Sequence, residues 1–208
     1  GIQLIVIGAC AVNILFATQI ASSGIGIVRA KWPARWVNKF TSHAATCMDE
    51  SDLQWSDLAD ILAPFDVVSI HKSSSVLLRV AMEAKRMGKT VVYDTDDHDA
   101  ALYDKYALLG YMQGTIGYRD QIIAYCDGIT VTSAPLARAL SHYGKPTAIA
   151  DNGYDTSLIE YQITNHGYFT GIDGEAWCKV IYGGSTGHAR DIAMFLSLGV
   201  IEALSDLP

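Results

Sequence analysis

The chain reads as an α/β protein, a Rossmann-like parallel sheet with helices on both faces, followed by one βα unit of an incomplete second domain. Three observations predict this. Short, near-continuous apolar runs recur along the chain, as expected of strands covered on both faces. They alternate with stretches of helical period. Residues 66–98, DVVSIHKSSSVLLRVAMEAKRMGKTVVYDTDDH, spell out a complete βαβ unit. Its first strand is Asp66–Ile70, and a Ser-rich turn follows. The helix carries Val76, Leu77, Val80, Ala81 and Ala84 on one face and stops at Gly88, and Thr90–Tyr93 forms the second strand. Such units cross over with right-handed connectivity.

The remaining elements follow in order. Residues 1–12, GIQLIVIGACAV, are uncharged but too short for a membrane span and lack a basic leader, so they read as a buried strand or an extension. Asn13–Ala17 is the first core strand. A loop over Thr18–Gly26 leads into a helix ending near Phe40, in which Pro33 marks a kink or the true start. Residues 41–64 read as polar, with a helix-like end at Asp57–Leu62. A Tyr-rich, helical stretch over 100–125 is interrupted by Gly110 and Gly114. Gly128–Thr132 is a strand. Ser133 caps a helix with Pro135 in its first turn and a Gly144–Pro146 stop. Thr147–Ala150 is the last strand of the first domain, which is placed at 1–160. A linker at 161–176 precedes the second domain's start at 177–208, where strand Lys179–Tyr182 runs into Gly183-Gly184-Ser185 and a helix to about Leu204.

Composition narrows the function. Half the residues are hydrophobic and 18% are charged, which suits a globular core, and the formal net charge of −7 argues against a general nucleic-acid surface. Cys10, Cys47, Cys126 and Cys178 form no CxxC pair and read as reduced thiols of a cytoplasmic protein.

In open parallel sheets ligands bind beyond the carboxyl ends of the strands, so Asp94, Asp96, Asp97 and His98 are candidate catalytic residues. Three chemistries fit them: a DxD site for a divalent cation on a nucleotide-sugar, an aspartyl phosphotransferase, and metal-free acid/base or hydroxyl binding. A solvated helix-capping loop is the plain alternative. His71 and Lys72 point to the same sheet edge. Gly24, Gly26 and Arg29 could approach an anion at a helix start, although the full GxGxxG is absent, which argues against an NAD domain. Gly183, Gly184 and Ser185 form the better phosphate loop, because strand, small-residue turn and helix come in that order.

In this order the segments resemble the first half of a GT-B-fold glycosyltransferase of the family-4-like group. The resemblance spans residues 13–195 and rests on the Arg29–Pro33 helix, VVYDTDD, CDGITVTSAPLARAL, IADNGYD and VIYGGSTGHARDI. The chain departs from that pattern at Asp151, where the family has Pro, and in carrying aspartates where relatives have a histidine. The resemblance implies transfer of a sugar from a nucleotide-sugar donor to a saccharide or other hydroxyl acceptor. It implies no cofactor and no metal, because helix N-termini and backbone N–H groups stabilise the diphosphate. It assigns Gly24, Gly26, Arg29, His71, Lys72, Asn152 and Asp155 to substrate binding, and Gly183, Gly184 and Ser185 to the donor phosphates. Residues 1–208 alone are expected to be inactive, since most of the donor half would follow them. Their terminal helix, 189–204, must dock on the first sheet or self-associate. No transmembrane segment is expected, and peripheral membrane contact stays open. The other readings are a non-catalytic Rossmann-like binding module or transferase remnant, and a Mg-dependent phosphotransferase using Asp94 and Asp96.

Overall fold

The structure is a computed structural model that describes residues 11–53, 57–98 and 115–153. The chain divides into two compact units, Gly1–Thr156 and Ser157–Pro208. The linker and the second βα unit, with Gly183, Gly184, Ser185 and the 189–204 helix, lie outside the described residues, as do Asp155, Cys10 and Cys178.

Six strands form one parallel sheet in the order β2-β1-β3-β4-β5-β6. They are β1 (Asn13–Thr18), β2 (Ala44–Asp49), β3 (Val67–His71), β4 (Thr90–Thr95), β5 (Gly128–Val131) and β6 (Thr147–Ile149). The α/β, Rossmann-like expectation holds. From β1 the chain steps outward to β2, then returns to the other side of β1 with β3. The junction of β1 and β3 is therefore the point where strand order reverses.

Helices α1 (Gly24–Gly26) and α2 (Trp32–Phe40) flank a π-helical turn, Ile27–Lys31. The Trp32 N–H reaches back five residues to the Ile27 carbonyl. This widened turn sits just before Pro33, which has no N–H to offer the Arg29 carbonyl and whose ring would crowd it. Pro33 thus stands in the first turn of α2, where the π turn gives way to regular helix. Gly26 is required for a different reason. A Cβ there would lie 2.1 Å from the Ile20 carbonyl oxygen, so only glycine lets the helix start press onto the loop.

Helix α3 (Leu58–Leu62) precedes β3, and α4 (Ser75–Arg86) joins β3 to β4. Ser74 caps α4 by accepting from the Leu77 N–H at 3.1 Å, and Gly88 closes it at φ +74°. Helices α5 (Thr115–Tyr125) and α6 (Ala134–Ala139) flank β5, and a 3₁₀ turn at Ser141–Tyr143 ends at left-handed Gly144.

Helices α3, α4 and α5 share one sheet face with Leu15, Ala17, Val68, Ile70, Val91, Tyr93, Ile129 and Val131, forming a continuous apolar core. Cys126 lies in it, and burial pushes its thiol up to about 12, as expected of an inert structural cysteine.

One strand differs from expectation. Residues 44–49 (AATCMD) form edge strand β2 where the sequence reads only as a polar stretch. The strand pairs on one side alone and buries no complete face, so it carries no apolar run to recognise. Two bonds from α2 hold it: the Asn38 side chain donates to the Ala45 carbonyl and accepts from its N–H, each at 2.7 Å.

Candidate functional site

A polar row crosses the carboxyl end of the four central strands. Thr18 of β1 pairs in register with His71 of β3, His71 with Asp94 of β4, and Asp94 with Thr130 of β5. In-register neighbours project from the same face. Thr18, His71 and Asp94 are all buried. No buried side-chain nitrogen or oxygen among the described residues lacks a hydrogen-bond partner, as a stable interior requires.

The row has two halves. On the β4–β5 side Arg29 reaches in from the π turn and grips Asp94 with a two-pronged ion pair, donating from Nε to Oδ2 at 2.9 Å and from Nη2 to Oδ1. Thr130 adds a hydroxyl bond to the same carboxylate at 2.5 Å. Arg29 Nη1 donates to the Ala150 carbonyl at 2.6 Å and to Asn152 Oδ1 at 3.3 Å. The ion pair thereby ties the helix after β1 to β4 and to the chain leaving β6. Planar guanidinium suits this role, since its fork gives the carboxylate two parallel bonds and leaves Nη1 for the carbonyl.

The other half lies at the β1–β3 junction and opens outward. His71 Nδ1 sits 3.0 Å from Thr18 Oγ1, and its Nε2 lies 3.4 Å from Asp96 Oδ1. Lys72 Nζ lies 2.8 Å from Asp96 Oδ1 and 2.6 Å from Asp97 Oδ2. Lys72 holds φ +70°, a left-handed conformation unusual for a residue with a Cβ. Beside it, Gln19 Nε2 donates to the Ser73 carbonyl at 2.8 Å. Thr95 Oγ1 bonds the Asp97 backbone at both ends, donating to its carbonyl at 3.1 Å and accepting its N–H at 3.3 Å, which fixes the loop carrying the two carboxylates.

Electrostatics follow from these contacts. Burial by itself would raise the Asp96 carboxyl, but the His71 hydrogen bond and the Lys72 ammonium hold it well below the usual carboxylate range. Burial likewise opposes charge on Lys72, yet Asp96 and Asp97 raise it above its ordinary value. Asp96 therefore stays ionised and is a weak base. His71 is held between the Thr18 hydroxyl and the Asp96 carboxylate.

The structure thus brings Asp94, Asp96, Asp97, His71, Lys72, Arg29 and Asn152 to one sheet end. It commits Arg29 and Asp94 to each other, so the carboxylate that a phosphotransferase reading needs as nucleophile is already engaged. His98 follows half-buried, and Asn152 is exposed. Gly24 faces open space, whereas Gly26 is packed. Sequence reasoning missed Thr18, Gln19 and Thr130. All three stand at or just beyond the carboxyl ends of strands, which is the signal that could have found them. Among the described residues no group of three or more His, Cys, Asp and Glu is arranged to hold a metal ion.

No family model matches the chain, and no curated protein matches it in sequence. Solved structures do. The UDP-GlcNAc 2-epimerase from Neisseria meningitidis, bound to UDP-GlcNAc, superposes with a TM-score of 0.50 at 11% identity, covering 74% of this chain and 53% of that one. A provisionally assigned UDP-N-acetylglucosamine 2-epimerase from Listeria monocytogenes gives 0.50 at 10%, covering 73% and 51%. The fold is GT-B-like. The chain spans about half the length of these neighbours. Among the described residues no helix is long and apolar enough to cross a membrane.

Proposed function

We propose that the chain is the acceptor-side half of a nucleotide-sugar-dependent glycosyltransferase. The observation that carries this reading is the His71 corner, where Thr18, His71, Asp96 and Lys72 converge at the point of strand reversal in a GT-B-like sheet. In this reading the acceptor hydroxyl lies against Thr18 Oγ1, and as its oxygen attacks the sugar and the nucleotide diphosphate leaves, its proton passes through the Thr18 hydroxyl to His71 Nδ1. Asp96 fixes the imidazole and stabilises it once protonated, the general logic of a base held by a carboxylate. Asp97 and Lys72 hold neighbouring acceptor hydroxyls, with Gly24 and Asn152 lining the approach. Gly183, Gly184 and Ser185 receive the donor diphosphate through backbone N–H groups. Residues 1–208 span about half the length of the neighbours they superpose on, so by themselves they are expected to bind sugar-nucleotide weakly and not to turn it over.

A second reading is favoured by the named neighbours: a sugar-nucleotide epimerase would use the same acid–base corner on the donor itself. Both are tested by incubating the 208-residue chain, and a version extended by any downstream coding sequence, with UDP-sugars and saccharide acceptors. Expected is a glycosylated acceptor from the extended form only, lost in His71→Asn. An epimerised UDP-sugar with no acceptor product would select the second reading. Sugar-nucleotide binding without turnover by either form would leave a binding module.

A further inference from the structure

The face of α2 turned away from the sheet is charged in a way the rest of the chain is not. All 22 acidic residues lie at or after Asp49, so residues 1–48 hold none, while Arg29, Lys31, Arg35 and Lys39 are all basic. Arg29 is consumed by Asp94 inside the protein. The other three are exposed. Ala30 and Ala34 are buried and Asn38 bonds to β2, so the inward face of this helix runs through positions 30, 34 and 38. Lys31, Arg35 and Lys39 follow that line one residue later, about 100° round the helix, and form a single basic stripe. At its end Phe40 is 70% exposed, the most exposed large apolar side chain among the described residues, with Lys39 Nζ 5.0 Å above its ring.

We infer that this stripe docks the protein on an anionic lipid surface. The inference stands apart from the proposed reaction, since none of its residues belongs to the His71 corner. Lys31, Arg35 and Lys39 supply the cations that such a surface attracts, and their aliphatic stems can lie along the headgroups while the charges stay wet. Phe40 supplies the apolar side chain that enters the headgroup boundary. A nucleic acid fits less well. Neutralising several phosphates needs a broader field of cations, and the rest of the chain carries 22 acidic against eleven basic residues.

The test is flotation of the 208-residue chain with vesicles of phosphatidylcholine alone and of phosphatidylcholine mixed with phosphatidylglycerol. Binding is expected to the anionic vesicles only and to weaken as salt is raised. The K31E/K39E variant changes only exposed side chains, and circular dichroism checks that its fold is kept. Its partitioning should fall by about tenfold or more. Phe40→Ser should weaken binding several-fold at every salt concentration. Equal binding to neutral vesicles, binding retained by K31E/K39E, or no vesicle binding at all would overturn the inference. So would capture by a random oligonucleotide that K31E/K39E abolishes while vesicles are ignored, which would assign the stripe to nucleic acid.

Discussion

The two faces of the sheet differ by one residue of strand register. Ala17, Ile70, Tyr93 and Ile129 pair across β1, β3, β4 and β5 on the face that α4 and α5 cover, and all are buried and apolar. One position later Thr18, His71, Asp94 and Thr130 pair across the same strands on the other face, and all are polar. The apolar row needs only shape and volume to be stable. The polar row needs every partner in place, because an unmatched buried charge costs several kcal/mol. Hence one face can be repacked with modest loss, whereas the other depends on a few specific atoms.

The largest effect should come from breaking the closed half of the polar row. Arg29→Ala leaves Asp94 buried beside Thr130 alone and should destabilise by about 3–5 kcal/mol, read by urea denaturation. The double change R29M/D94L should recover much of that loss, because it removes both charges together. A single variant as stable as the parent would show that the ion pair is not what holds α1 and the chain after β6.

The open half should give a smaller stability effect and a larger chemical one. Asp96→Asn removes an ionised partner of His71 and Lys72 and should cost about 1.5–3 kcal/mol near neutral pH. It should also lower any sugar-transfer rate by about 100-fold or more. Because the folded carboxyl titrates below its ordinary value of 3.8, its stabilising contribution is fully present above that value. It is lost as pH falls through the lower, folded value. The stability gap between parent and Asp96→Asn should therefore close on the acid side of pH 3.8, and a gap that persists unchanged there would contradict the assignment.

On the apolar face, Ile70→Val should cost about 0.5–1.5 kcal/mol and leave any sugar-transfer rate unaltered, although Ile70 is the immediate neighbour of His71. A large activity loss there would erase the distinction between the faces. The smallest effect concerns backbone strain. Lys72→Ala and Lys72→Gly lose the same ion pairs, but only glycine relaxes the left-handed φ of +70°. Lys72→Gly should thus be the more stable of the two by about 0.5–1 kcal/mol in thermal or urea melts.

The sequence alone carries the element order, because apolar runs, Ser caps at 74 and 133 and glycine stops at 88 and 144 are local signals that act within a few residues. It also places Asp94, Asp96 and His71 at strand ends. Strand β2 escapes it because AATCMD carries no apolar run, and pairing with β1 and the Asn38 bonds hold it in the sheet instead. Tertiary structure decides which partners each aspartate takes. Asp94 and Asp96 are alike in type and two residues apart, but Arg29, 65 residues upstream, closes on the first, while His71 and Lys72 hold the second at the opening. A local pattern cannot make that choice, since the charge that settles it arrives from another element only when the sheet and its first helix have packed.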